Sequence, residues 1–174
     1  MVPSSYNAFF AAVATGAAAL IGLLFVAVSV RDETIFGAKS VAGGRALAIT
    51  AFTGLVNTLF VSLLALIPQD NLGYGAVILG VISTWSVIQL HRGLHWARST
   101  ILLSLAVLAY LVQLWYGIVL LIHPHDTSSV NNICYVLFAV TVVSLQRAWS
   151  LLEGKHLERA AAEAEHGPGA HPLH

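Results

Sequence analysis

The stretch AFFAAVATGAAALIGLLFVAVSV, residues 8–30, decides the fold class of this chain. It contains no charged residue, and the first charge after it belongs to Arg31. A helix rises about 1.5 Å per residue and the hydrocarbon core of a bilayer is about 30 Å thick, so roughly 20 apolar residues can cross it. Residues 8–30 therefore predict a transmembrane helix.

Four similar stretches follow along the chain. We predict spans at about residues 8–30, 46–67, 74–90, 100–122 and 130–152, which make a five-helix transmembrane domain over residues 1–152. The apolar runs are continuous rather than alternating, which argues against a membrane β-barrel. Residues 153–174 are predicted to form a cytoplasmic tail that is helix-prone at first and disordered at its end.

The composition agrees with an all-α polytopic membrane protein. Hydrophobic residues make up 57% of the 174 residues and charged residues only 9%, whereas about 25% of the residues of a soluble domain are charged. Mean hydropathy is +0.81. The eight basic residues are balanced by eight acidic ones, so the chain lacks the positive charge of a nucleic-acid binder. We expect a lipid bilayer around the chain and no nucleic-acid partner.

The basic residues predict the orientation. They all fall on one side of the alternating five-span arrangement: Arg31, Lys39, Arg45, Arg92, Arg98, Arg147, Lys155 and Arg159. The positive-inside rule makes this side cytoplasmic, which places the N-terminus outside and the C-terminus in the cytoplasm. Arg147 lies near the end of the fifth span, where its long side chain can reach the membrane interface.

Amide and hydroxyl side chains recur near the middle of four spans. These candidates are Asn57, Gln113, Ser83, Thr84 and Thr141. An amide in hydrocarbon must find a hydrogen-bond partner, because no water is available there. One interpretation is hydrogen bonding between helices, within the bundle or between protomers. The other is a polar belt that lines a permeation path or a site for a small ligand.

Three predicted spans carry small residues at helical spacing, which allows helix backbones to approach closely. They are Ala11, Thr15, Ala18 and Gly22 on the first span, Ala51, Gly54, Thr58 and Ser62 on the second, and Ala76, Gly80 and Thr84 on the third. Five helices in one protomer need not bury three such stripes. We therefore expect a homo-oligomer.

Few residues could carry chemistry. The first four spans contain no ionisable Asp, Glu, Lys, Arg or His, which argues against a proton-coupled transporter and a haem protein. The nucleophile-elbow, zincin and P-loop patterns are absent. The sequence therefore indicates no catalytic residue, and we expect no cofactor and more likely no enzyme.

One loop offers a metal-binding alternative. His123, His125 and Asp126 follow the fourth span, and Asp70 lies in another loop on the same predicted side. Two imidazoles and a carboxylate can bind a divalent ion, and the histidines could instead respond to pH. The third interpretation is an ordinary solvated loop.

The stretch FFAAVATGAAALIGLLFVAVSVR, Phe9 to Arg31, resembles the opening helix of many small bacterial multi-pass membrane proteins, which are largely uncharacterised. The resemblance implies a bacterial inner-membrane location. It carries over no catalytic or binding residue.

These observations leave two hypotheses for the function. The first is a homo-oligomeric channel or facilitator, in which Asn57 and Gln113 line the path. The alternative is a non-enzymatic regulator or scaffold that binds another membrane protein, with the cytoplasmic tail as the contact. A hydrated polar axis would favour the channel, and a dry, packed bundle would favour the scaffold.

Overall fold

The computed structural model describes residues 2–29, 42–68, 71–91 and 97–165, with side chains over 2–29, 48–68, 72–89 and 104–149. Over these residues the chain is all-helical and has no strand. A short 3-10 turn at Ser4–Tyr6 is followed by five long helices: α1 (Asn7–Ser29), α2 (Ala42–Leu66), α3 (Asn71–His91), α4 (Ala97–Ile122) and α5 (Thr127–Glu165).

Each of the five helices in the described part of the chain is long and apolar enough to cross a membrane. The apolar segments are Ser4–Ser29, Ala48–Leu66, Leu72–Gln89, Ser104–Ile122 and Thr127–Trp149. The prediction of an all-α chain with five apolar helices is therefore confirmed, and it indicates an integral membrane protein.

Several helices extend beyond the predicted spans. Helix α2 begins at Ala42 and α3 at Asn71, because backbone hydrogen bonding continues through polar residues that hydropathy leaves out. The largest extension is in α5. This helix continues past residue 152, where the predicted span ends, and reaches Glu165. The composition changes at the predicted start of the tail, but the helix does not end there. Residues 166–174, the predicted disordered end, lie outside the described residues.

Four helices form a ring around a common core. Helix α2 packs on α3, α3 on α4, α4 on α5, and α5 on α2. Helices α2 and α4 therefore face each other across the diagonal. Helix α1 lies outside this ring and packs along α2, with a smaller contact to α5.

Apolar clusters hold the two ends of the bundle, which we call the Asp126 end and the Arg147 end after a residue at each. At the Asp126 end, the core includes the fully buried side chains Phe10, Val61, Leu72, Ile133 and Leu137. At the Arg147 end, one cluster holds α1 on α2 through Leu24, Ala51 and Leu55. A second cluster there joins α3, α4 and α5 through Val87, Ala106, Tyr110 and Val140. Residues from alternate ends of successive helices meet in these clusters, so the helices run up and down.

Glycine permits a close approach between α3 and α4. A Cβ atom added at Gly117 would lie 3.0 Å from the Ala76 Cβ atom and 3.1 Å from the backbone nitrogen of Val77. A backbone atom cannot rotate away as a side chain can. A side chain at position 117 would therefore push α3 and α4 apart by a few tenths of an ångström.

Candidate functional site

Two amide side chains meet at the centre of the ring. Asn57 Nδ2 donates a hydrogen bond to Gln113 Oε1 at 2.8 Å, and Gln113 Nε2 donates one to Asn57 Oδ1 at 3.1 Å. Asn57 is 1% exposed and Gln113 is 0% exposed. The pair joins α2 to α4 across the diagonal, and each amide meets both a donor and an acceptor of the other.

Helix α3 completes this cluster. Gln113 Nε2 also donates to the backbone carbonyl of Ala76 at 3.1 Å, so both of its N–H groups can be used. The Ser83 hydroxyl donates to Asn57 Oδ1 at 3.4 Å. We call Asn57, Gln113 and Ser83 the amide cluster. Its polar groups are directed at one another in the interior, as expected for groups removed from water.

The other two midspan candidates lie outside the amide cluster. The Thr141 hydroxyl donates to the backbone carbonyl of Leu137 at 2.8 Å, and its oxygen lies 3.4 Å from the Thr58 hydroxyl oxygen. The hydroxyl of Thr84 is buried and has no hydrogen-bond partner among the described residues. The structure therefore joins three of the five candidates and gives Thr141 a separate contact between α2 and α5.

A second polar group surrounds a cavity of about 100 Å³ at the Arg147 end. Its polar lining residues are all buried: Thr50 on α2, Tyr110 on α4, and Ser144 and Arg147 on α5. Gly54 makes room for them, because a Cβ atom there would overlap the Ser144 hydroxyl and lie 3.4 Å from the Tyr110 hydroxyl. We call this the arginine cavity.

Arg147 differs from its expected position. We expected the side chain to reach the membrane interface, but it is 4% exposed and lines the cavity inside the protomer. The physical reason is its helix face, since Ser144 lies three residues earlier on α5 and also points into the bundle. A guanidinium that shares this face is directed inward.

Sequence reasoning missed this second group, although the spacing carried a signal. Tyr110 precedes Gln113 by three residues, and Thr50 precedes Asn57 by seven. Residues at these separations share a helix face. Once the amides are placed in the core, the same faces lead to the arginine cavity.

Asp126 has a structural role at the start of α5. Its Oδ1 atom accepts a hydrogen bond from the Ser128 N–H at 3.1 Å, and its Oδ2 atom accepts one from the Ser129 N–H at 3.2 Å. The Ser129 hydroxyl also donates to Oδ2. These three bonds lower the pKa of the Asp126 carboxyl, and the bond from the Ser129 hydroxyl has the largest effect. Asp126 is thus the N-cap of α5.

The described residues add no further ligand to the metal site predicted at His123, His125 and Asp126. His123 and His125 are both exposed, and Asp70 lies outside the described residues. Among the described residues, no three His, Cys, Asp or Glu side chains come close enough to hold a metal ion. The oxygens of Asp126 are already hydrogen-bonded to the first turn of α5, so a metal would have to compete with the cap.

The surface of the first two thirds of α1 is unlike the surfaces of the other helices. From Ala8 to Gly22, every exposed residue is small: Ala8, Ala11, Ala12, Thr15, Gly16, Ala18, Ala19 and Gly22. We call this the α1 small face. On α1, large exposed side chains appear only after Gly22, at Leu23, Phe25 and Val26. On the other helices they recur, as in Phe52, Phe60, Trp85, Leu108 and Phe138.

The two other predicted small stripes have a different use. On α2, Ala51, Thr58 and Ser62 are 0% exposed. On α3, Ala76 is 0% exposed and Gly80 is buried against α4. The protomer itself therefore covers most of these two stripes, while the stripe of α1 faces outward.

Comparison with protein-family models, with curated proteins and with solved structures gave no match. The function is therefore argued from the geometry of this chain.

Proposed function

We propose that this chain is a non-enzymatic, membrane-embedded scaffold or regulator that associates with another transmembrane helix through α1. The first partner that we propose is α1 of a second copy of the chain. The observation that carries this proposal is the α1 small face, which is exposed from Ala8 to Gly22. The homo-oligomer expected from the small residues thus acquires a specific surface.

The physical argument is close packing. Lipid tails are as apolar as leucine, so transmembrane helices associate through van der Waals packing and hydrogen bonds rather than through hydrophobic burial. Small residues favour this packing because they let two backbones approach. A Cβ atom added at Gly16 or Gly22 would meet nothing within 4 Å, which leaves both positions open to a partner helix.

The remaining helices support a structural role. Only 17% of the residues in the apolar segment of α1 are buried, compared with 50% of those in the apolar segment of α2. The amide cluster joins three helices of the ring, α2, α3 and α4, through hydrogen bonds. Helix α1 is left as the element with the most surface for a partner.

The proposal includes an orientation, with the N-terminus outside and the C-terminus in the cytoplasm of a bacterial inner membrane. The positive-inside rule supports it, since Arg45 and Arg98 begin α2 and α4 and Lys155 follows the apolar part of α5. The up-and-down packing brings these segments to the Arg147 end. Helix α5 continues to Glu165 and would offer a cytoplasmic contact for a second partner.

Self-association in liposomes tests the proposal. Protomers labelled with a donor or an acceptor fluorophore are mixed, and energy transfer is measured as the protein is diluted into lipid. We expect Ala12→Leu to weaken association by roughly tenfold, because the larger side chain holds the helices apart. The control is Val81→Leu, which places the same side chain at an exposed position of α3.

Unchanged energy transfer in Ala12→Leu, or an equal loss in both variants, would contradict an interface at α1. If energy transfer between unmodified protomers is no higher than expected for randomly distributed molecules, the chain does not self-associate.

The second candidate is a homo-oligomeric channel or facilitator. The observation that favours it is the row of buried polar side chains on the inner face of α2, formed by Thr50, Asn57, Thr58 and Ser62. In this hypothesis the amide cluster is a closed gate. Flux of ions and small solutes from protein-containing liposomes tests it, with Asn57→Ala expected to raise the flux. If neither the unmodified chain nor Asn57→Ala raises the flux above that of empty liposomes, the channel hypothesis is contradicted.

A further inference from the structure

The arginine cavity is lined by four residues that carry hydrogen-bond donors. A guanidinium from Arg147 and hydroxyls from Thr50, Tyr110 and Ser144 line a space of about 100 Å³. A cavity measured in this way needs only about 10–15 Å³ to hold one water molecule, so this one has room for a compact polar group.

The donors indicate the charge of that group. A guanidinium is planar and always protonated, and it matches the oxygens of a phosphate with two parallel hydrogen bonds. Hydroxyl groups can donate to the remaining oxygens. Three helices supply these groups, so a ligand here would be held from more than one side.

The rest of the lining indicates the direction from which the group enters. The cavity is also bounded by Leu105 and Ala109 of α4 and by Ala139 and Val143 of α5. Leu105 is 48% exposed and Ala139 is exposed. The opening therefore lies on the apolar side of the bundle, between two helices, where a bilayer would supply lipid rather than solution.

The depth of the cavity fits a lipid headgroup. Arg147 precedes Trp149, which is 63% exposed and ends the apolar segment of α5. Tryptophan favours the boundary between hydrocarbon and headgroups. Basic pockets between helices at this depth are suited to anionic headgroups.

We infer that the arginine cavity binds the phosphate group of an anionic phospholipid, with one acyl chain lying along the groove between α4 and α5. Arg147 holds the phosphate, and the hydroxyls of Thr50, Tyr110 and Ser144 orient it. The small side chains of Ala109 and Ala139 leave space for the chain.

Lipid retention by the full chain tests the inference. Protein purified in a neutral detergent is titrated with phosphatidylglycerol, phosphatidylcholine or inorganic phosphate, and bound lipid is counted by native mass spectrometry. We expect phosphatidylglycerol to bind and to raise the thermal midpoint of unfolding more than the other two. Arg147→Gln should weaken its binding by roughly tenfold or more, because a charged hydrogen-bond partner is lost.

Three further variants keep the test independent of folding. Ala139→Leu fills the groove at an exposed position and retains the charge, so it should also weaken binding of phosphatidylglycerol. Arg159→Gln removes the same charge further along α5, and should leave binding unchanged. Ala12→Leu, the variant of the proposed helix interface, should leave it unchanged as well.

Three results would overturn the inference. The first is equal binding of phosphatidylglycerol and phosphatidylcholine. The second is stabilisation by inorganic phosphate that matches that of the lipid, which would indicate a free anion. The third is binding that Arg159→Gln weakens as much as Arg147→Gln, which would indicate general attraction to positive charge.

Discussion

Asn57 and Gln113 exchange two hydrogen bonds across the diagonal of the ring, and this arrangement fits only one relative position of α2 and α4. Apolar side chains can slide past one another at small cost, but a pair of amides in the interior loses both bonds when it is displaced. The pair therefore specifies the register of the helices. In hydrocarbon such bonds contribute on average about 0.6 kcal/mol and at most about 1.7 kcal/mol.

A double-mutant cycle measures this contribution. Gln113→Leu leaves the buried Asn57 amide without its main partner, and we expect a loss of about 1–3 kcal/mol in the free energy of unfolding. The combined Asn57→Leu and Gln113→Leu variant should lose less than the sum of the single changes. The measurement is reversible unfolding in mixed micelles.

Thr84→Val is the matched control for the cycle, because the Thr84 hydroxyl is buried with no hydrogen-bond partner among the described residues. It should leave stability unchanged or raise it slightly. Strictly additive losses at positions 57 and 113 would show that the two amides are not coupled.

Asp126 makes the stability of α5 dependent on pH. Its pKa in the folded chain is lowered, chiefly by the hydrogen bond from the Ser129 hydroxyl. A lowered pKa means that the stabilisation is complete above the ordinary carboxyl value of about 3.9 and is lost as the pH falls through the lower folded value. We expect Asp126→Ala to lower the thermal midpoint at neutral pH, and the difference from the unmodified chain to shrink below about pH 4.

Asp126→Asn separates the cap from the charge. Asparagine is also a good N-cap but does not titrate, so the difference between the Asn and Ala variants should not depend on pH. The experiment is thermal unfolding in detergent followed by circular dichroism between acid and neutral pH. A gap between the unmodified chain and Asp126→Ala that stays constant to the lowest pH would contradict the role of the carboxylate.

At the scale of the helices, small residues serve two purposes that the sequence alone could not separate. Gly117 allows α3 and α4 to touch inside the protomer, whereas Gly22 on α1 faces open space. Both positions are glycine in an apolar helix, and helical spacing predicts close packing for either. Which neighbour covers them is decided by tertiary packing, since four helices close into a ring and α1 is left outside.

The two glycines therefore predict opposite effects of the same substitution. Gly117→Leu should lower the free energy of unfolding by about 1–3 kcal/mol or prevent folding, because the side chain would be forced into α3. Gly22→Leu should leave unfolding unchanged and weaken self-association instead. Unfolding in mixed micelles and energy transfer in liposomes measure the two effects.

Equal destabilisation by the two changes would show that α1 is packed as tightly as the ring. Tolerance of Gly117→Leu without loss of stability would contradict the close contact between α3 and α4.

At the scale of the whole molecule, the five apolar helices could be predicted from hydropathy, because length and absence of charge suffice to mark them. The meeting of Asn57, Gln113 and Ser83 was one of two open interpretations, since similar depth does not show that three side chains face one another. The arginine cavity was missed because the position of Arg147 near the end of a span suggested a side chain at the interface. Its direction depends on the helix face and on the ring.

The proposed orientation makes a prediction for the intact cell. When the chain is expressed in bacteria, a green fluorescent protein fused after His174 should fluoresce, because it then folds in the cytoplasm. In a Cys134→Ala background, His125→Cys should react from outside with a maleimide that does not cross the inner membrane, once the outer layers are made permeable. A fusion that does not fluoresce, together with a cysteine that does not react with the maleimide, would show that the orientation is the reverse of the one proposed.

The most direct test of the central proposal is cysteine crosslinking of α1 in native membranes. In the Cys134→Ala background, Ala18→Cys is placed on the α1 small face, and Leu108→Cys is placed on the exposed face of α4, where the native side chain is 57% exposed. Mild oxidation of the membranes should give disulfide-linked dimers for Ala18→Cys and monomers for Leu108→Cys. Monomers for Ala18→Cys, or equal dimer yields at both positions, would contradict association through α1.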